Sequence, residues 1–420
     1  MKPIRKRVLL AAFYCSPYRG GESLVGWQVA TGLARFHDVT VVCGDLGADA
    51  GTADDLERFK RTEGLPPGLE IVHVQAVGLA RIIHDLHRIP GLWFLFYEAY
   101  RRWQTQVLKL ARQMHARCPF DLVHQVNIIG FREPGYLWQL AIPFFWGPVS
   151  GAPLIPSVFM KDFGLKERFR WGSRNFLNRI QIRLMKRAAK AAQVAAKVWA
   201  VSAEDCAMLA SWGVRADSML EAGCTLADLS ETKHRQGDEA LRLCWSGWFQ
   251  GVKALPLLLR AMATSDIHGI QLDVLGDGPE AGRWKALASN LGLDGRIRWH
   301  GMLPRDRALA VMQQCHVLVH TSVKEATATV ILEALSRGLP VICHNACGMG
   351  IAVTNLCGIK VALRDPETSI SGFRDAINHL RAEPALIETL SQGALARAEE
   401  LTWDDKINRF CQAYSEVLHS

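Results

Sequence analysis

Short, continuous apolar runs alternate with segments of helical period along the whole chain, and the alternation starts over once near the middle. Residues 8–13 (Val-Leu-Leu-Ala-Ala-Phe) form an unbroken apolar run, as a strand buried on both faces requires. A turn with paired glycines and a helical segment over 25–36 follow. Strand-like runs then recur at 39–43, 71–77, 122–125, 144–146 and 198–202, with helical stretches at 92–115 and 133–140. From 241–245 the order restarts, with strands at 271–275, 297–300, 317–320, 341–344 and 358–361 and helices at 255–263, 284–291, 305–314 and 328–337. Such alternation builds a parallel sheet with helices on both faces, and right-handed crossovers gather the loops that follow the strands along one edge. The expected fold class is α/β: two Rossmann-like parallel-sheet domains facing each other across a cleft, which is the default place for a ligand.

Length demands the same division, because 420 residues exceed the ~250–300 that one hydrophobic core can serve. The polar stretch 226–239 supplies the joint. The expected boundaries are a first domain over 1–222, a linker over 223–239 and a second domain over 240–400, with a terminal helix over 402–420 rejoining the first. At 49% hydrophobic residues and a mean hydropathy of +0.05 the chain can bury sizeable cores and is not disordered. A net charge of +8 is modest for a nucleic-acid binder, but it suits an anionic substrate or a membrane surface. The eleven cysteines are scattered without CxxC spacing, which excludes a disulfide scaffold or zinc ribbon and points to reduced thiols in a cytoplasmic protein. Cys343, His344 and Cys347 cluster, but lack a fourth ligand at ribbon spacing. The apolar run after the basic start is too short for a signal peptide, and the run at 92–97 is far too short to span a bilayer.

Two motifs carry chemistry. The loop Ser16-Pro17-Tyr18-Arg19-Gly20-Gly21-Glu22 follows the first strand directly, and paired glycines before a helix let backbone N–H groups approach an anion closely. Its spacing is not GxGxxG, so a dinucleotide fingerprint is excluded. The second motif is Glu325-Ala-Thr-Ala-Thr-Val-Ile-Leu-Glu333, entered from the buried strand 317–320. A helix starting near Thr327 would place Glu325 just before it and Glu333 inside it. Free N–H groups at Thr327-Ala328-Thr329 would then suit a diphosphate, and the flanking carboxylates would suit sugar hydroxyls.

With Gly276-Asp277-Gly278-Pro279, Trp299-His300-Gly301 and Ser336-Arg337-Gly338-Leu339-Pro340, this run resembles the nucleotide-sugar half of GT-B glycosyltransferases, specifically the retaining family 4. The N-terminal loop, Asp121-Leu122-Val123-His124 and Trp146-Gly147-Pro148-Val149-Ser150-Gly151 resemble its exopolysaccharide-biosynthesis subgroup. The resemblance implies that Glu325 binds the donor sugar near the reacting carbon, Glu333 the ribose, and Lys253 the leaving diphosphate. It further implies that His124 contacts the transferred sugar, and that Gly20, Gly21 and Gly276 lie on the donor side. Arg19 and Glu22 belong on the acceptor side, where Arg19 could also lean across to the diphosphate. Catalysis would rest on His124, Lys253 and Glu325. The chain departs from the pattern at Trp248 and Val252, where arginine is usual.

The implied activity is retaining transfer of a hexose from a UDP- or GDP-linked sugar to a saccharide or polyprenyl-diphosphate-linked acceptor in cell-surface polysaccharide synthesis. No Asp-x-Asp follows a strand, and Asp54-Asp55 falls in a polar loop as a solvated pair, so the expectation is catalysis without a metal or other cofactor. Residues 161–197 interleave eleven Lys and Arg with Phe169, Trp171, Phe176, Ile180, Ile182 and Leu184. A basic amphipathic helix of this kind can rest on an anionic leaflet, here the inner face of the membrane. The rival readings are a GT-B binding subunit with weakened catalysis, which Trp248 favours and Lys253, Glu325 and Glu333 oppose, and a nucleotide-sugar epimerase.

Overall fold

The computed structural model describes residues 5–45, 52–87, 89, 92, 94–227, 240–264 and 269–419. Most of the expected linker, 228–239, lies outside the described residues. Strands β1 (Arg7–Ala12), β2 (Asp38–Asp45), β3 (Leu69–Gln75), β4 (Leu122–Asn127), β5 (Phe144–Val149), β6 (Lys197–Ala200) and β7 (Asp217–Ser218) form a sheet in the order β3-β2-β1-β4-β5-β6-β7. Strands β8 (Leu241–Ser246), β9 (Ile270–Leu275), β10 (Ile297–Gly301), β11 (Val317–His320), β12 (Val341–His344) and β13 (Gly358–Val361) form the other, in the order β10-β9-β8-β11-β12-β13. Every described pairing is parallel, in registers such as Leu10↔Val41, Leu10↔His124 and Trp245↔Val274.

The apolar run of β1 explains why both faces are covered. Leu9, Ala11 and Phe13 enter one core with Tyr100 and Trp103, whereas Val8, Leu10 and Ala12 enter another with Val29, Leu33 and Tyr414. Successive side chains on a strand point to opposite faces, so a continuous apolar run is the signature of a doubly covered sheet. The strand order turns back between β1 and β4 and again between β8 and β11. Loops diverge at such switch points and leave a crevice at the carboxyl ends of the strands.

Local chemistry moves several expected boundaries. The expected helix over 133–140 is a turn followed by one 3₁₀ turn, Leu137–Leu140. Pro134 lacks an amide donor and Gly135 sits at φ +68°, so the chain cannot wind a helix through them. The basic stretch 161–197 is two helices, Leu165–Leu184 and Lys186–Val194, broken at Met185. The helix after β11 shrinks to Thr329–Leu335.

The lobes interpenetrate. Ile155, Phe159, Met160 and Phe163 leave the first sheet and join Trp245, Phe249, Leu257 and Trp284 in the second lobe's core. Each such side chain contributes about 1.5–3 kcal/mol of burial free energy, so this segment is a strong tie. The terminal helix Trp403–His419 returns to the first lobe, where Ile407, Phe410 and Tyr414 pack with Val29 and Leu33. Cys224 and Thr402 are bridged where the two crossings run side by side.

Candidate functional site

The loops after β8 and β11 meet through one network. Trp245 Nε1, buried on β8, donates to Thr321 Oγ1 at 2.9 Å, and Thr321 Oγ1 donates to the carbonyl of Lys253 at 2.7 Å. This fixes the 3₁₀ turn Gly251–Lys253 against the end of β11 and directs the ammonium of Lys253 onto Glu325 Oε1. Ser322 Oγ donates to the same oxygen at 2.8 Å, and His320 Nε2 stands 3.6 Å from it. Burial alone would raise the Glu325 carboxyl, but His320 and the charge of Lys253 outweigh it and hold it at about 2. Lys253 and Glu325 are 19% and 16% exposed, so the pair is sheltered yet reachable.

The other donor-side residues are placed differently. Glu333 accepts two bonds from Arg305, at 3.0 and 2.8 Å, and no contact joins it to Glu325 among the described residues. Thr327 Oγ1 accepts from the Glu221 amide at 2.9 Å, Ala328 caps the following helix and is buried, and Thr329 opens that helix and is exposed. A helix of seven residues adds little dipole, so Lys253 is the main charge available for a diphosphate here. Gly276 has a packing role. At φ +125°, a Cβ there would stand 2.0 Å from the Gly247 carbonyl oxygen, so the loop after β9 closes on the loop after β8 only with glycine. Trp248 projects beside Gly278, 50% exposed, at the position where the resemblance leads one to expect arginine.

In the first lobe, Gly20 and Gly21 are exposed with open space beside both, and Gly21 caps the helix Glu22–Ala34 at φ +62°. Arg19 Nε donates to Asp55 at 2.6 Å, and Ser16 Oγ binds the same carboxylate oxygen at 2.6 Å. Asp55 is therefore a loop anchor, contrary to its expected solvated state, and Arg19 pairs within its own lobe. Glu22 Oε1 accepts from the Ile129 amide at 3.2 Å, and burial pushes its carboxyl up to about 7.

His124 is a correction. It is 0% exposed on β4, accepts from Tyr414 O–H through Nδ1 at 2.5 Å and donates through Nε2 to the Gly147 carbonyl at 3.0 Å. Phe145, Trp199 and Phe410 surround it, and burial pushes its imidazole down to about 3. Both nitrogens are committed to the core beneath the terminal helix, away from the crevice. The expectation that it contacts a sugar does not fit this geometry, because both ring nitrogens are already bonded and the ring is fully buried.

The seam between lobes adds groups that the sequence did not single out. Glu221 lies beside Thr327, and burial with the nearby charge of Glu22 pushes its carboxyl up to about 8. Burial pushes Lys406 down to about 7 while its ammonium bonds the Leu220 carbonyl. Lys324 reaches across to the Pro153 carbonyl at 2.5 Å, and the Cys347 amide donates to Glu204 at 3.2 Å. None of these sits in a recognisable motif; only tertiary contact assembles them. Cys343 and His344 are core residues, with His344 bonded to the Ser322 carbonyl and Ser369 Oγ, each at 3.0 Å. Among the described residues no three His, Cys, Asp or Glu side chains gather as a metal site.

Residues 229–394 match the family model described as glycosyl transferases group 1. The match falls on the second lobe. The D-inositol 3-phosphate glycosyltransferase of Streptomyces griseus subsp. griseus is 28% identical over 192 residues, 43% of this chain and 40% of that protein. The chain thus spans about two fifths of the length of this curated relative. Among solved structures, the lipopolysaccharide outer core galactosyltransferase WaaB in its apo form has a TM-score of 0.63 at 15% identity, covering 98% of this chain and 99% of that one. Anabaena Alr3699/HepE in complex with UDP has a TM-score of 0.61 at 15% identity, covering 98% and 100%. These likenesses extend over both lobes and show the fold, which is GT-B. The matched residues include Lys253, Gly276, Glu325 and Glu333, while Glu22 and His124 belong to the other lobe.

Proposed function

We propose that this chain is a glycosyltransferase that moves a hexose from a UDP- or GDP-linked sugar to a saccharide or lipid-linked saccharide acceptor, with retention at the transferred carbon. The observation that supports this most is the contact of Lys253 with Glu325 at the switch point of the second lobe's sheet. When a donor enters, the ammonium is the fixed cation for the diphosphate as it leaves. Glu325, ionised throughout the neutral range, is then released to accept sugar hydroxyls. Charge developing on the leaving oxygens is thereby met by a group already in place. Lys253 stands without the arginines usual at 248 and 252, so we propose slow turnover for this chain. Anabaena Alr3699/HepE in complex with UDP shares the fold, which supports a nucleoside diphosphate as the donor's leaving group.

The acceptor arrives from the side of Arg19 and Glu22, and Gly20 and Gly21, with open space beside both, leave room for the donor's phosphates. Peripheral membrane contact is part of the reading. The helix Leu165–Leu184 turns Asn175 and Asn178 inward, and exposes Leu165, Phe169, Phe176 and Leu184 at 84, 79, 63 and 69% among arginines and lysines. That inverted pattern suits an anionic leaflet carrying a lipid-linked acceptor. No helix among the described residues is long and apolar enough to cross a membrane. The test is a panel of nucleotide sugars incubated with the purified chain and lipid-linked acceptors, with nucleoside diphosphate release followed with and without EDTA. Release from one donor, insensitive to EDTA, is expected. Release abolished by EDTA defeats the metal-free mechanism, and silence across the panel favours a binding subunit.

A further inference from the structure

Three cations converge on the first-lobe side of the seam, and among the described residues no carboxylate forms an ion pair with any of them. Arg132 donates through Nε to Gln181 Oε1 at 2.6 Å and through a terminal nitrogen to Asn178 Oδ1, and both partners are neutral. Its Nη1 lies 3.4 Å from where a Cβ on Gly151 would stand, and it bonds to no side chain or carbonyl among the described residues. Lys324 donates to the Pro153 carbonyl and lies 5.6 Å from the centre of the Trp171 indole. Arg174, exposed on the helix Leu165–Leu184, lies 5.3 Å from the same ring. Loop 151–153 is held in place by Asn178 Nδ2, which donates to the carbonyls of Gly151 and Ala152 at 3.0 Å each.

Several other cations of this chain are paired with acids. Arg101 and Arg187 share Glu133, Arg242 takes Asp273, and Lys253 takes Glu325. Around the trio, the nearest acids are engaged elsewhere. Asp205 accepts from the Ala152 amide at 2.8 Å and from Ser202 Oγ at 2.7 Å, and Glu204 accepts from the Cys347 amide. Burial and the charge of Arg174 push Lys324 down to about 8, so the group resists its own charge when no anion is near. One guanidinium held by neutral partners, a second beside the Trp171 ring and an ammonium offer charged donors from three directions, as the several oxygens of a phosphoryl group require.

We infer that Arg132, Arg174 and Lys324 form a subsite for a phosphoryl group carried by the acceptor, separate from the donor's diphosphate at Lys253. This rests on the glycosyltransferase reading and narrows its acceptor to a phosphorylated one. Lys324 adjoins Glu325 in sequence and touches the first lobe, so an anion held there would also draw the two lobes together.

The experiment uses the full chain saturated with whichever nucleoside diphosphate it binds, so that the donor position is filled, titrated with inorganic phosphate by calorimetry. One phosphate per chain is expected. Arg174→Gln and Lys324→Gln should each weaken it tenfold or more, with the nucleotide affinity unchanged. Arg174 is exposed, so its replacement leaves folding intact, and Arg179→Gln on the same helix serves as a control with no expected change. The inference is overturned by wild-type chain that takes no phosphate, or by phosphate binding that ignores both substitutions. It is equally overturned if only phosphatidylglycerol vesicles, and not free phosphate, show the Arg174 dependence, because the trio is then a headgroup contact. A chain that binds no nucleoside diphosphate, yet binds phosphate through Arg174, sinks the donor reading and leaves the anion site standing.

Discussion

Replacing Lys253 by Met keeps most of the aliphatic stem and removes the charge that faces Glu325. The carboxylate is then left sheltered with only Ser322 and His320 beside it. Leaving one member of a buried pair uncompensated costs about 3–5 kcal/mol, and the two remaining partners reduce this to about 2–3 kcal/mol. The depression of the Glu325 carboxyl by His320 and Lys253 corresponds to a similar figure. Its carboxyl lies at about 2 against an ordinary 4.5, which corresponds to about 3 kcal/mol at neutral pH. Because the folded value is depressed, this stabilisation is complete above about pH 4.5 and is lost as pH falls toward 2. The assay is a double-mutant cycle of Lys253→Met, Glu325→Gln and both, read from urea unfolding at pH 7. Each single change should destabilise, and the double should fall short of their sum by about 2 kcal/mol. In Lys253→Met the folded carboxyl moves back toward its unfolded value, so the loss of stability between pH 4.5 and 3 should flatten. Additivity within about 0.5 kcal/mol would refute the reasoning, since the two side chains would then not be coupled.

Glu221 gives the opposite pH dependence. A carboxyl held at about 8 favours its protonated form when folded, so Glu221→Gln should gain thermal stability over wild type as pH rises from 5 to 8; an equal gain at both ends contradicts the burial. Gly276→Ala should cost about 3 kcal/mol or more or abolish soluble expression, because of its conformation and the 2.0 Å approach. Gly20→Ala, with open space, should leave the melting temperature unchanged, and a matching loss in both would rule out the packing argument. His124→Gln should destabilise by about 2–4 kcal/mol while leaving the pH profile of transfer by the folded fraction unmoved; a shifted profile would return His124 to the chemistry. Phe169→Glu with Phe176→Glu should weaken binding to anionic vesicles several-fold without changing stability, and undiminished sedimentation with vesicles would exclude that helix face.

Fold class was legible because buried parallel strands must be apolar on both faces. Runs such as 8–13 and 317–320 have few other uses, and β11 occupies the latter span. The helix expected at 133–140 failed because apolar spacing was weighed above Pro134-Gly135, a pair that breaks helices whatever surrounds it. At the site, Lys253 and Glu325 were legible through local motifs on either side of the sheet's turning point. His124 was misplaced because a motif gives a position along a strand, whereas its role depends on which face the side chain takes. Ser322, Glu221, Lys324 and the Arg132–Arg174 pair were illegible for another reason. They come together only through contacts of long sequence separation, such as Lys324 with Pro153, which no window along the chain contains.

The most direct measurement is a crystal structure of the chain soaked with the nucleotide sugar that it turns over. The diphosphate is expected on Lys253 Nζ and a sugar hydroxyl on Glu325, with the former ion pair parted. Nucleotide density away from the crevice between β8 and β11, with Lys253 still bound to Glu325, would contradict it.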